Sequence, residues 1–242
     1  MIKFFRQIRY NLMSENKTGK YLKYAIGEIL LVVIGILIAL SINNWNERQK
    51  LQVEEQKLIS ALIKEIESNI EKIKSTIEGN QTIFRGSSDF LESVAYNKDV
   101  NVDPTTFSQL FGYNTNKIEN SILTEILGTD SRALISNQSY IEQLRILKRS
   151  YNRNEKTQYY VDEYWNTQVI GFFNDSGLGI YFTGNNLFKD RIIEFEINDT
   201  FLSTLTIMNG FQESLLMSRE DLLESLNTSL EFLKNVTQNN LE

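Results

Sequence analysis

Four basic side chains, Arg145, Arg149, Arg153 and Lys156, recur at i, i+4, i+8 and i+11, spacings that put them on one face of an α-helix. Lys148 lies nearby. Such a stripe could dock an anionic ligand or the acidic surface of a protein partner. It could equally pair with acids of its own chain, as charged helix faces commonly do. A second group, Glu213, Glu220, Asp221 and Glu224, is acidic. Two carboxylates held at a suitable separation can hydrolyse a glycosidic bond, but the spacing here sets no separation and the chain has 31 acids. The chain contains no His and no Cys. That removes the most common general base, the thiolate nucleophile, disulfides and Cys-based metal centres. No glycine-rich phosphate loop, G-x-S-x-G elbow or D-x-[DN]-x-[DN]-G calcium loop occurs. These residues read as a non-enzyme with no cofactor and no metal.

Two further features invite a chemical reading. Tyr151, Tyr159, Tyr160, Tyr164, Trp165, Phe172 and Phe173 form an aromatic-rich segment. It could line a small-ligand pocket between helices, or supply core and interface anchors. Glu28 stands at the start of an apolar run, where a carboxylate can snorkel to the headgroups and is favoured by the helix N-terminal dipole. Glu28, Gly35 and Ile42 are spaced by sevens, and Gly35-x-x-x-Ala39 is a small-xxx-small pair of the kind that lets helices approach closely. Glu28, Gly35 and Ala39 are therefore the candidates for association within a membrane.

The run itself, "YAIGEILLVVIGILIALSINNW", covers residues 24–45. At about 1.5 Å per residue it is long enough for about 30 Å of hydrocarbon. Tyr21, Tyr24 and Trp45 flank it as interfacial aromatics do. Lys3, Arg6, Arg9, Lys17, Lys20 and Lys23 precede it against the single acid Glu15, whereas charges of both signs follow it. The positive-inside rule then puts the N-terminus in the cytoplasm and the remainder across the membrane, in the periplasm. Residues 1–23 carry +5; with the chain at −6, residues 24–242 carry −11. A basic foot at an anionic leaflet and an acidic outer body fit that asymmetry, and an acidic body argues against nucleic acid as a partner. "MIKFFRQIRYNLM" has the pattern of a short interfacial amphipathic helix. A competing reading is a signal peptide cleaved after Ala39-Leu40-Ser41.

The rest must position these groups. One proline and 12 glycines permit long helices and disfavour a turn-rich β fold. Ile59, Ile63, Ile66, Ile70, Ile73 and Ile77 follow an a/d rhythm, either a coiled-coil seam between chains or a stripe packed on other helices of the same chain. The spacing predicts a helical continuation over 81–97, a short helix from Asp103-Pro104 to about Gly112, a helix over 116–127 stopped at Gly128, and a long helix over 138–173. A loop follows, with an extended piece at 193–197. The final helix, 200–236, is capped by Asp199 and carries a stripe of Met208, Phe211, Leu215, Leu222, Leu226, Leu230 and Leu233.

Residues 20–47, "KYLKYAIGEILLVVIGILIALSINNWNE", resemble the opening of domain of unknown function 6090, a family of uncharacterised single-span Bacteroidetes membrane proteins; residues 1–22 resemble it as well. Residues 121–152 are similar to the family's helix, short link and second helix, although Gly128-Thr129-Asp130 departs from the serine/glycine-rich link. The resemblance implies an inner-membrane protein with a helical outer domain and supplies no activity.

The fold expected is mainly α: a basic cytoplasmic segment at 1–23, a transmembrane helix at 24–45, and a periplasmic domain at 46–242 forming an elongated antiparallel helical bundle, its Ile-rich and C-terminal helices antiparallel with 138–173 against them. The expected role is a binding or scaffold module on the inner membrane, with the bilayer, a membrane or periplasmic protein, or further copies of itself as partners. The alternative is a membrane-anchored ligand-sensing domain that signals through a partner protein.

Overall fold

The computed structural model describes residue 10 and residues 18–96, 109–128, 135, 138–181 and 197–239. Every described element is helical, and no strand occurs among the described residues. In chain order they are α1 (Thr18–Ala95), α2 (Ser121–Leu127), α3 (Gln138–Tyr164) with a π-helical turn (Trp165–Val169), α4 (Ile170–Asp175), a 3-10 turn (Leu178–Tyr181) and α5 (Asp199–Asn239). The expected N-terminal amphipathic helix, the helix start at Pro104 and most of the extended piece at 193–197 lie outside the described residues.

The chain divides into two compact units, Met1–Gln56 and Lys57–Glu242. The first holds the apolar part of α1. This helix is long and apolar enough to cross a membrane, with a most apolar stretch of mean hydropathy 2.7 and none of that stretch buried. Ile29 to Leu40 expose their large side chains along the whole run, as a lipid-facing helix must.

The second unit is a bundle of α1, α3 and α5. The Ile stripe of α1 turns inward: Ile59, Ile66, Ile70, Ile73 and Ile77 are buried in a core with Leu144, Leu147 and Tyr151 of α3 and Leu216, Leu222, Leu226 and Leu233 of α5. Each such side chain stabilises the fold by about 1.5–3 kcal/mol relative to exposure. The a/d rhythm thus serves packing within one chain. Contacts along α1 and α5 fix an antiparallel register: Glu67 meets Lys234 at 2.6 Å, Gln81 meets Glu220 at 3.4 Å and Ser87 meets Gln212 at 2.8 Å. A second core gathers Phe90, Phe111, Val161, Val169, Phe173, Phe201, Leu205 and Met208.

Local chemistry departs from the expected boundaries in three places. The helix expected over 116–127 begins only at Ser121. Residues 112–120 instead form a non-helical strap along α1, because Asn side chains of α1 take up the strap's backbone groups. Glu65 is the acceptor that starts α2: its carboxylate receives the Ile122 N–H at 3.1 Å, the Leu123 N–H at 3.4 Å and the Ser121 hydroxyl at 2.9 Å. It acts as an N-cap supplied from another helix. At α5 the capping side chain is Asn198, whose Oδ1 accepts the Phe201 N–H at 2.9 Å. Asp199 sits in the first turn, where its charge suits the dipole.

The expected helix over 138–173 is continuous to Asp175 but contains the π turn, with the Ile170 N–H bonded to the Trp165 carbonyl. Val161, Trp165, Val169 and Phe173 are spaced by four. On a regular α-helix three such steps drift by roughly 120°; the wider π turn absorbs drift, so Val161, Val169 and Phe173 all reach the second core.

Candidate functional site

A belt of buried polar groups runs from within the first core toward the second, and it begins on α1. Asn80 and Asn69 each hold both backbone polar groups of one strap residue. Asn80 Nδ2 donates to the Asn114 carbonyl at 3.3 Å while its Oδ1 accepts the Asn114 N–H at 2.6 Å. Asn69 does the same to Glu119, at 2.6 and 3.1 Å. The match is dimensional. Eleven helical residues rise about 16.5 Å, and the five residues from Asn114 to Glu119 cover about the same length when extended. Three helical turns bring the two Asn side chains back to one face. Thr76 accepts from Asn116 Nδ2 at 2.6 Å between them. Gly79 leaves room for the Asn114 side-chain amide, which a Cβ there would displace.

The belt continues across α3 and α5. Arg219, 4% exposed, donates to the Asn114 carbonyl at 2.9 Å and to Gln158 Oε1 at 2.7 Å. Asp162 accepts from the Tyr113 hydroxyl at 2.6 Å and from Gln158 Nε2 at 2.9 Å. Gln212 donates to the carbonyls of Leu110 and Gly112 at 2.9 and 2.8 Å and accepts from Ser87. Asn154 donates to Ser218 at 3.1 Å. Burial lowers the Arg219 guanidinium to about 10, against the opposing pull of Asp162 and Tyr113. Burial, reinforced by the bond to Asp162, raises the Tyr113 hydroxyl well above the usual tyrosine range. Tyr151 is raised mainly by burial too, although Asn69 donates to its oxygen at 2.7 Å. The belt is satisfied within the chain, so its chemistry is positional: it fixes the strap and the helix register.

The residues that drew attention in the sequence are spread over different places. Arg145 pairs with Glu142 at 2.8 Å and Arg153 with Asp221 at 3.0 Å, all of them solvent-exposed to a large degree. Lys156 Nζ sits 5.7 Å from the Tyr160 ring centroid, within cation–π range. Arg149 is exposed. The basic stripe is therefore real as a face but is partly paired with its own chain. Of the carboxylates, Asp221 takes Arg153 and Glu220 takes Gln81, while Glu213 and Glu224 are exposed. Glu220, Glu224 and Glu231 line a groove of about 410 Å³ on the outside of α5. Among the described residues no cluster of acids could hold a metal ion.

The aromatic segment divides. Tyr164, Trp165, Phe172 and Phe173 pack into or against the second core; Phe173 lies 5.2 Å from Phe111 edge to face, and Tyr164 lies 5.0 Å from Phe211. Tyr159 and Tyr160 point outward, 60% and 45% exposed. In the first unit, Glu28 is half-buried beside Ala25, Ile29, Val32 and Val33, and the Cβ position of Gly35 is open. Ala39 is exposed.

The belt itself escaped the sequence reading. Its signal was an interruption: the inward positions between Leu215 and Leu222 include Ser218 and Arg219, and those between Ile66 and Phe90 include Asn69, Thr76, Asn80 and Ser87. Polar residues recurring at core spacing mark such a layer.

Neither the curated proteins nor the solved structures contain a match to the chain. A family model does match, over residues 28–82, described as "Family of unknown function (DUF6090)". That match supports the resemblance to this family carried by residues 20–47.

Proposed function

We propose that this protein is a binding or scaffold module held on the inner membrane by the N-terminal part of α1, with its N-terminus cytoplasmic and its helical body periplasmic. The observation that carries the reading is how the body is filled. Its polar interior groups are taken up by one another, most of the aromatic segment is consumed in packing, and charged and aromatic groups remain on exposed helix faces. Such a body recognises by surface rather than by enclosure. The exposed apolar run of α1 supports the anchor, and the excess of basic residues before it supports the orientation.

The test is a native-detergent pull-down of the full chain followed by mass spectrometry. The reading expects a stoichiometric membrane or periplasmic protein, or further copies of the chain. Recovery of the monomer alone counts against it. The ligand-sensing alternative draws on a groove of about 450 Å³ beside Thr82, Ile83, Gly86, Phe90, Gln109 and Leu110. It expects a small molecule to raise the melting temperature and a Gly86→Leu variant to lose that rise.

A further inference from the structure

The geometry points to a second copy of this chain as the occupant of the outward face shared by α3 and α5, in a parallel dimer whose two-fold axis runs along these helices. The register of the pair fixes which residues lie at one height. Gln143 meets Ser229 at 3.2 Å, Ser150 meets Ser225 at 2.7 Å and Arg153 meets Asp221 at 3.0 Å. At those heights Arg149 stands level with Glu224, and Tyr160 with Glu213 and Ser214. The α3 edge carries Arg145, Arg149, Arg153 and Lys156 beside one acid, Glu142, and the α5 edge is acidic.

A two-fold axis along the helices sets the α3 edge of one copy against the α5 edge of the other without changing height. Arg149 of each copy then meets Glu224 of the other. Tyr160 and Met217, 45% and 61% exposed, follow the spacing of Arg149 and Glu224 on their helices and so stand on the same outward edges, where they supply apolar contact beside the charge pairs. An acidic partner suits this face less well. It would meet Glu213, Asp221 and Glu224 beside the cations, and like charges brought together disfavour a wrong partner. A surface carrying both signs side by side is complementary to itself. From Arg145 to Tyr160 the helix pair is about 24 Å long and about 20 Å wide, near the small end of specific interfaces. The axis also leaves the helices of both bodies running in the same sense. Anchoring raises their effective concentration, so a small interface suffices.

This surface deepens the scaffold reading by naming one partner. A failed dimer with a captured foreign protein would leave the scaffold reading standing and remove this one. The test uses the full chain in lipid nanodiscs and native mass spectrometry. Arg149→Glu and Glu224→Arg are made separately, with helix content checked by circular dichroism. Wild type is expected to be dimeric. Each reversal should cut the dimer fraction roughly tenfold, because the symmetry counts each contact twice. Mixing the two variants should restore the dimer, since opposite charges face each other again in the heterodimer. As a second measurement, copies carrying Arg149→Cys and copies carrying Glu224→Cys should form a disulfide together and not separately; the parent chain has no cysteine to confuse the result. A monomeric wild type, a dimer indifferent to either reversal, or a mixture that stays monomeric while both variants remain helical overturns the proposal.

Discussion

Asn80 and Asn114 meet as a two-bond pair in which a helix side chain takes the place of a neighbouring strand. The Asn80 amide is 2% exposed, so the strap's N–H and carbonyl find their partners in the protein and not in water. Replacing Asn80 with Leu keeps the volume and leaves the Asn114 N–H without a partner, while the Asn114 carbonyl keeps its bond from Arg219. The body should lose about 1–3 kcal/mol in urea denaturation, and amide exchange should speed up over residues 112–120 before it does in α5.

Arg219 is irreplaceable by another cation. It reaches Asn114 and Gln158 through two separate nitrogens, a fork that a lysine ammonium does not reproduce. Arg219→Lys should cost about 1–3 kcal/mol through the unpaired acceptor. Arg219→Met should cost more, because Asp162 then loses the neighbouring positive charge. Thermal melts of both variants against the parent check the order.

Alkaline pH should destabilise the fold. The Tyr113, Tyr151 and Tyr164 hydroxyls are all raised above 10.0 by burial. The folded chain keeps these protons where the unfolded chain releases them. This contribution is therefore full below about pH 10 and is lost as pH rises above it. Arg219, lowered to about 10, acts with the opposite sign, as the penalty for its buried charge is relieved there. Three tyrosines outweigh one arginine, and stability should fall from pH 10 upward. Tyr151→Phe should flatten the fall, since Asn69 Nδ2 retains its bond to the Glu119 carbonyl. Denaturation midpoints across that range provide the measurement.

Glu65→Ala should loosen α2 and little else. The carboxylate receives two backbone N–H groups of the first turn, and loss of an N-cap costs about 1 kcal/mol. Denaturation midpoints should show that cost, and proteolysis should cleave sooner near Ser121, with α3 and α5 unaffected.

The orientation has its own test. In a chain without cysteine, Asn152→Cys in intact spheroplasts should react with a membrane-impermeant maleimide and Ser14→Cys should not. Labelling of both, or a mature chain beginning at Ile42, would remove the anchored N-in arrangement.

What was legible in the sequence was what periodicity writes. Ile59 to Ile77 and Met208 to Leu233 announce two long helices that bury their stripes, and the run from Ile29 to Leu40 announces an unburied one. Gly128 ends α2 where expected, in extended rather than left-handed backbone. The strap was hidden because its stabilising partners lie 34 to 50 residues away in sequence, and residues 116–120 have ordinary helical composition. Glu65 carries no local sign of its role for the same reason: its three donors come from another helix. The aromatic segment was rightly suspected of packing, but only the π turn decides which rings go in.

The polar layer that runs from the first core toward the second has a consequence for how the chain finds its alignment. Leucines at 215 and 222 and isoleucines at 59, 66 and 73 repeat by sevens, and greasy ridges of that kind can slide past one another by a whole repeat at little cost. Arg219 forbids the slide: one notch along, its guanidinium would lose both of its acceptors, the Asn114 carbonyl and Gln158. The layer works as an index mark that admits a single setting of three long helices, as isolated buried polar groups do elsewhere.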